Sequence, residues 1–109
     1  RTRLAWYYPD LDTVFVRYRG AEADADGEFI HSVIHELGHR YWGRFMSPEQ
    51  RRDWERHHRW LGQRVGARAE RWPTPYSAKN AEEHFCEALG LLSQGRLSGP
   101  RGGLLAGSR

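Results

Sequence analysis

Hydrophobic and polar positions divide this chain into blocks with different periods. "LAWYYPDLDTVFVRYR" (4–19) holds two runs rich in aromatic and β-branched residues, separated by Pro9-Asp10. That pattern predicts two short β-strands joined by a turn, the second over Thr13–Tyr18. The polar, Gly-bounded stretch 20–27 reads as a loop in which Asp24 or Asp26 caps a following helix. From about Glu28 to Trp42 the period changes. Ile30, Val33, Ile34, Leu37 and Tyr41 recur at intervals of three and four, which predicts one buried helical stripe.

A second helix start follows at "SPEQ" (47–50), where Ser47 can cap, Pro48 suits the first helical position and Gln50 can close a capping box. This helix should run to about Leu61 and is mostly charged; Trp54, Leu61 and one of His57 or His58 are its candidate core positions. The two prolines of 66–77 mark a connector, at least from Trp72. A third helix is expected from Ala78 or Ala81 to Gln94, with Phe85, Ala88, Leu89 and Leu92 facing the core and Gly95 ending it. The order of elements predicts an α+β domain over residues 1–95 and a flexible tail over 96–109, rich in Gly with little to bury.

Composition narrows the class. At 109 residues, 39% hydrophobic and 28% charged, the chain suits one globular domain with a modest core. All but Lys79 of its 17 basic residues are Arg, and the net charge is +3. Cys86 is the only cysteine, which excludes both an internal disulfide and a Cys-based zinc site. It also favours a reducing, intracellular compartment, as does the lack of a visible secretory signal. No apolar run approaches the roughly 20 residues of a membrane helix. Because the first residue is Arg1 rather than Met, a processed product or a piece of a larger polypeptide or assembly is expected.

The chemistry concentrates in "IHELGH" (34–39). Positions four apart on a helix lie one above the other, so His35 and His39 can aim two imidazoles at one zinc ion. Glu36 is rotated away from that point, badly placed to ligate and well placed to take a proton from a zinc-bound water. His31, one turn earlier, is either a support for this site or an exposed helix histidine. A catalytic zinc needs a third protein ligand. Trp42 and Phe45 exclude the variant with a third histidine six residues on. Candidates are Glu70, Glu82, Glu83 and Glu87, with His57, His58 and His84 further off. Glu83 and Glu87 share one helix face opposite Phe85, Leu89 and Leu92. Gly90 lies within about 20° of the Glu83 direction, where a missing side chain lets two helices approach closely.

These two segments resemble the gluzincin metallopeptidases. "IHELGH" is similar to their active-site helix, and "YSAKNAEEHFCEAL" (76–89) to the glutamate helix of the lethal-factor-like branch, through Tyr76, Asn80, Glu83, Phe85, Glu87 and Ala88. His84 and Cys86 depart from that branch, which more often has Phe and Ala there. The resemblance implies a small zincin-like domain: strands, an active-site helix, a charged helix and a glutamate helix. It implies zinc held by His35, His39 and Glu83, with Glu87 and Asn80 supporting the ligands and Tyr76 stabilising an oxyanion. The implied activity is zinc-dependent endopeptidase hydrolysis of a protein or peptide, with Glu36 as general base. Thr13–Tyr18 is a candidate edge for an extended substrate. The alternative is an inactive zincin-like or nucleic-acid- or partner-binding module with a structural zinc, using the Arg-rich helix 48–64. Residues 51–71 carry seven Arg against Asp53, Glu55 and Glu70, interleaved with Trp54 and Trp60.

Overall fold

A computed structural model describes residues 4–17, 27–66, 68 and 71–95. The fold is α+β: two antiparallel strands followed by three helices. The elements are β1 (Ala5–Tyr8), β2 (Thr13–Val16), α1 (Glu28–Arg44), α2 (Pro48–Val65), a 3-10 turn (Pro75–Ala78) and α3 (Ala81–Ser93). The expected tail 96–109 and the loop aspartates 24 and 26 lie outside the described residues.

The hairpin pairs Ala5 with Val16 and Tyr8 with Thr13. Its turn closes through Leu11 N–H to the Tyr8 carbonyl and Asp12 N–H to the Pro9 carbonyl, with Asp12 at φ 46°. Asp tolerates this left-handed conformation better than most residues. Its carboxylate accepts from Tyr7 Oη (3.0 Å) and Arg40 Nε (2.7 Å) and pairs with Arg44 Nε (3.0 Å), which pins the turn to α1. Arg17 N–H bonds the Leu4 carbonyl. By the alternation of an antiparallel ladder, Trp6 and Tyr8 also turn their polar backbone atoms toward β2, while Ala5 and Tyr7 turn theirs to the other edge. That edge of β1 lies along α1.

α2 starts as its sequence predicts. Ser47 Oγ accepts from Gln50 N–H, and the Gln50 side chain accepts from Ser47 N–H. The helix continues past Leu61 to Val65, and Leu61, Val65 and Trp72 form one buried cluster. Met46, Phe85 and Cys86 form another, against Trp42, Trp54 and Leu89. The core therefore lies between α1, α2 and α3. Leu91, not Leu92, completes it: Leu91 is buried, whereas Leu92 is 59% exposed.

The expected stripe of α1 is not its buried face. Ile30, Leu37 and Tyr41 are 47%, 43% and 43% exposed, while His31, His35, Glu36 and Gly38 are buried. The polar face turns inward because α3 offers it carboxylate partners, so its polar atoms are paired rather than stranded. Nor does an aspartate side chain cap α1. Gly27, at φ 77°, holds that position without a side-chain cap, and Gln94 Nε2 donates to its carbonyl at 2.7 Å.

Two glycines set the approach of α1 to α3. A Cβ on Gly38 would stand 3.0 Å from Cys86 Cα and Sγ, and one on Gly90 would stand 2.7 Å from ring atoms of His31. Gly90 thus allows the close approach that its position on the glutamate face predicts. No described helix is long and apolar enough to cross a membrane.

Candidate metal centre

His35 and His39 come from α1 and Glu83 from α3. Glu83 Oε1 lies 2.9 Å from His35 Nε2 and 3.0 Å from His39 Nε2. Neither contact has hydrogen-bond direction, and this buried oxygen has no hydrogen-bond partner among the described residues. Two donors at 2.0–2.1 Å on a tetrahedral zinc ion stand about 3.3 Å apart. The three atoms therefore have the chemistry and, within a few tenths of an ångström, the spacing of ligands that share one cation.

The far nitrogen of each ring is held by a carboxylate. His35 Nδ1 donates to Glu87 Oε2 at 2.6 Å, and His39 Nδ1 donates to Glu82 Oε2 at 2.6 Å. A proton fixed on Nδ1 leaves the Nε2 lone pair for a metal, and such partners raise ligand basicity. Glu87, which the resemblance implies as a support of the ligands, is the partner of His35 in this arrangement. Glu82 figured in the sequence only as an alternative ligand, and its role depends on where His39 lies. His31 belongs to the site as well: its Nε2 donates to Glu87 Oε2 at 2.9 Å, and the ring is buried. Thr74 also helps to hold the Glu87 carboxyl low.

Electrostatics in the cluster favour a cation. Burial opposes charge on His35, but Glu83 and Glu87 outweigh it and push its pKa up to about 9. For His39, burial is likewise outweighed by Glu83 and Glu82, and its pKa rises. Glu83 is held well below the usual carboxylate range by the two imidazoles. Glu87 is lowered too: burial raises it, and His31 and His35 overcome that. Without a metal, protons on the rings supply the positive charge that the carboxylates select.

Glu36 is buried beside these donors. Its Oε1 accepts the backbone N–H of Tyr7 in β1 at 2.8 Å, and its Oε2 is 3.9 Å from His35 Nε2. One oxygen is thus anchored by the strand and the other faces the centre. Cavities open on both sides. One, of about 140 Å³, is lined by Leu4, Ala5, Ser32, Tyr76 and the His35–Glu36–Glu83–Glu87 group. The other, of about 480 Å³, is bordered by Tyr7, Pro9, His39, Trp42 and Arg44. The strand along this cleft is β1, whereas the sequence pointed to Thr13–Tyr18. β2 pairs with the far edge of β1, and Tyr18 lies outside the described residues.

The remaining expected residues take distinct places. Tyr76 stands at the rim, 52% exposed, with its ring centroid 6.1 Å from that of His35. Asn80 caps α3, its Oδ1 accepting Glu83 N–H at 2.8 Å. It fixes the start of the helix that carries Glu83. Glu70 lies outside the described residues. His57, His58 and His84 gather elsewhere with Trp54 and Trp72, and His58 Nδ1 lies 3.2 Å from His84 Nδ1.

Cys86 qualifies the argument against cysteine ligation: its sulfur lies within 4.8 Å of donor atoms of His35, His39 and Glu83. Burial and the nearby carboxylates raise its pKa, which keeps the thiol protonated and a poor ligand, packed against Gly38. In the Arg-rich helix, Trp54 packs inward on Phe85 and His84, Trp60 lies under Arg64 at 4.3 Å, and Arg56 pairs with Asp53. Trp54 is therefore not an outward stacking platform. Comparison of the chain with family models, with curated proteins and with solved structures finds no match.

Proposed function

We propose that this domain is a zinc-dependent endopeptidase of gluzincin type, acting on a protein or peptide substrate. The observation that carries the reading is the convergence of His35 Nε2 and His39 Nε2 on Glu83 Oε1, an oxygen with no directed hydrogen bond, beside the anchored carboxylate of Glu36. His35, His39 and Glu83 would hold the zinc, which when bound supplies Lewis acidity and a water of lowered pKa.

The chain's own groups do the rest. Glu87 and Glu82 hold the two rings with Nε2 toward Glu83. Glu36 takes the proton of the attacking water on the oxygen not engaged by Tyr7 and passes it to the leaving amine. Tyr76, at the rim, donates its phenol hydrogen to the carbonyl oxygen as charge develops. An extended peptide has a path between the two cavities, past the edge of β1. A purely structural metal site has no use for a buried base beside its ligands.

Native mass spectrometry should find one zinc per chain, lost in His39→Ala. Glu36→Gln should keep zinc and fold but lose hydrolysis of an unfolded protein substrate, since Gln cannot accept the proton. A zinc stoichiometry unchanged by His39→Ala would refute the ligand set, and equal turnover by wild type and Glu36→Gln would refute the base.

A further inference from the structure

We propose that His31 is a positioning residue of the metal centre: seated on the bare backbone of Gly90, it locks Glu87 and through Glu87 the ring of His35. The inference rests on the zinc-site reading above.

Three observations carry it. First, His31 and His35 are one turn apart on α1 and donate to the same oxygen, Glu87 Oε2, at 2.9 and 2.6 Å. An ionised carboxylate only accepts, so both rings present N–H to it. In the neutral, metal-binding form of His35 that assigns the proton to Nδ1 and the lone pair to Nε2, the atom facing Glu83. Second, all three groups are buried, at 7%, 9% and 3% exposure for His31, His35 and Glu87. No bulk water stands ready to replace the His31 hydrogen bond, and without it Glu87 keeps fewer restraints on its rotation. Third, the fold makes room for this imidazole. A Cβ on Gly90 would stand 2.7 Å from His31 Cε1 and Nδ1, a distance that side chains do not tolerate. On α3 the row Glu83, Glu87, Gly90 therefore meets the row His39, His35, His31 on α1, with a glycine where the last ring needs space.

The same three donors do not make a second metal site. His31, His35 and Glu87 present donor atoms within 4.8 Å of one another. The 2.6 Å contact between His35 Nδ1 and Glu87 Oε2 is, however, a charge-assisted hydrogen-bond length. It is well short of the roughly 3.3 Å between two donors on one zinc ion.

A core histidine that only packs would behave differently, and zinc affinity measured by competition with a chromophoric chelator separates the two roles. His31→Phe keeps an aromatic ring and removes the donor, His31→Ala removes both without adding bulk, and His31→Gln keeps an N–H donor. Circular dichroism of the metal-free proteins establishes which are folded. His31→Phe and His31→Ala should bind zinc about 10-fold more weakly than wild type, at the lower end of the 10–100-fold typical for such partners. His31→Gln should recover most of that loss. In a Glu87→Ala background, His31→Ala should cost nothing further, because the route from His31 to His35 is already cut. Wild-type affinity in folded His31→Ala, or an equal loss with and without Glu87, overturns the proposal while leaving the zinc site standing. Absence of zinc binding by the wild-type chain overturns both.

Discussion

At the residue scale, the three carboxylates of α3 that meet the histidines do different work, and their burial ranks them. Glu83 faces both Nε2 atoms. Glu87 holds His35 from a site only 4% exposed at its side chain, and Glu82 holds His39 from one 40% exposed. A lost ligand should cost more than a lost support. A buried support should in turn cost more than one that water can replace. Chelator competition should therefore rank zinc affinity, weakest first, as Glu83→Ala, Glu87→Ala, Glu82→Ala. An order with Glu87→Ala weakest would mean that the ligand lies one turn further along α3. At pH values well below 9, zinc must also displace protons from rings that their carboxylates favour charging, His35 above all. Apparent affinity should then fall as the solution is acidified from neutrality.

At the scale of elements, the contact of α1 with α3 depends on what is missing at Gly38. An added Cβ there meets backbone, Cys86 Cα at 3.0 Å, which cannot swing aside. Gly43 in the last turn of the same helix would meet nothing within 4 Å. Both changes improve helix propensity, by up to about 1 kcal/mol. Overpacking typically costs about 1–3 kcal/mol. Gly38→Ala should thus lower stability by about 1–2 kcal/mol, whereas Gly43→Ala should leave it unchanged or raise it by up to about 1 kcal/mol. Urea unfolding of the metal-free proteins distinguishes the two. If Gly38→Ala is as stable as Gly43→Ala, the helices do not cross as closely as described.

Across the whole molecule, stability should respond to pH through His84. This ring is fully buried among Trp54, Trp72, His57 and His58, and burial with those two histidines pushes its pKa down to about 3. The unfolded chain protonates the same ring near pH 6.5. Between about pH 6.5 and 3 the unfolded state therefore binds the extra proton, and stability falls as pH falls, by up to about 1.4 kcal/mol per pH unit. His84→Phe, which stays apolar, should flatten that part of the curve. The test compares unfolding free energies of wild-type and variant proteins, metal-free, from pH 7 to pH 4. Parallel curves would mean that His84 keeps its proton equilibrium on folding.

What was legible in the sequence is what neighbours within about four residues decide. The Ser47–Gln50 capping box, the turn after Tyr8, the stacking of His35 over His39 and the shared face of Glu83 and Glu87 follow from backbone geometry alone. So does the α+β order of elements. Tertiary structure decided the rest, because burial depends on partners far along the chain. The period of α1 marked an apolar stripe correctly, yet the opposite, polar face went inward, since Glu82, Glu83 and Glu87, which pair its histidines, lie over 40 residues away. Glu82 as a holder of His39, His31 as a partner of Glu87 and β1 as the strand along the cleft arise in the same way. Helical periodicity says which side chains share a face; only the packing of α3 and the hairpin against α1 says which face is enclosed.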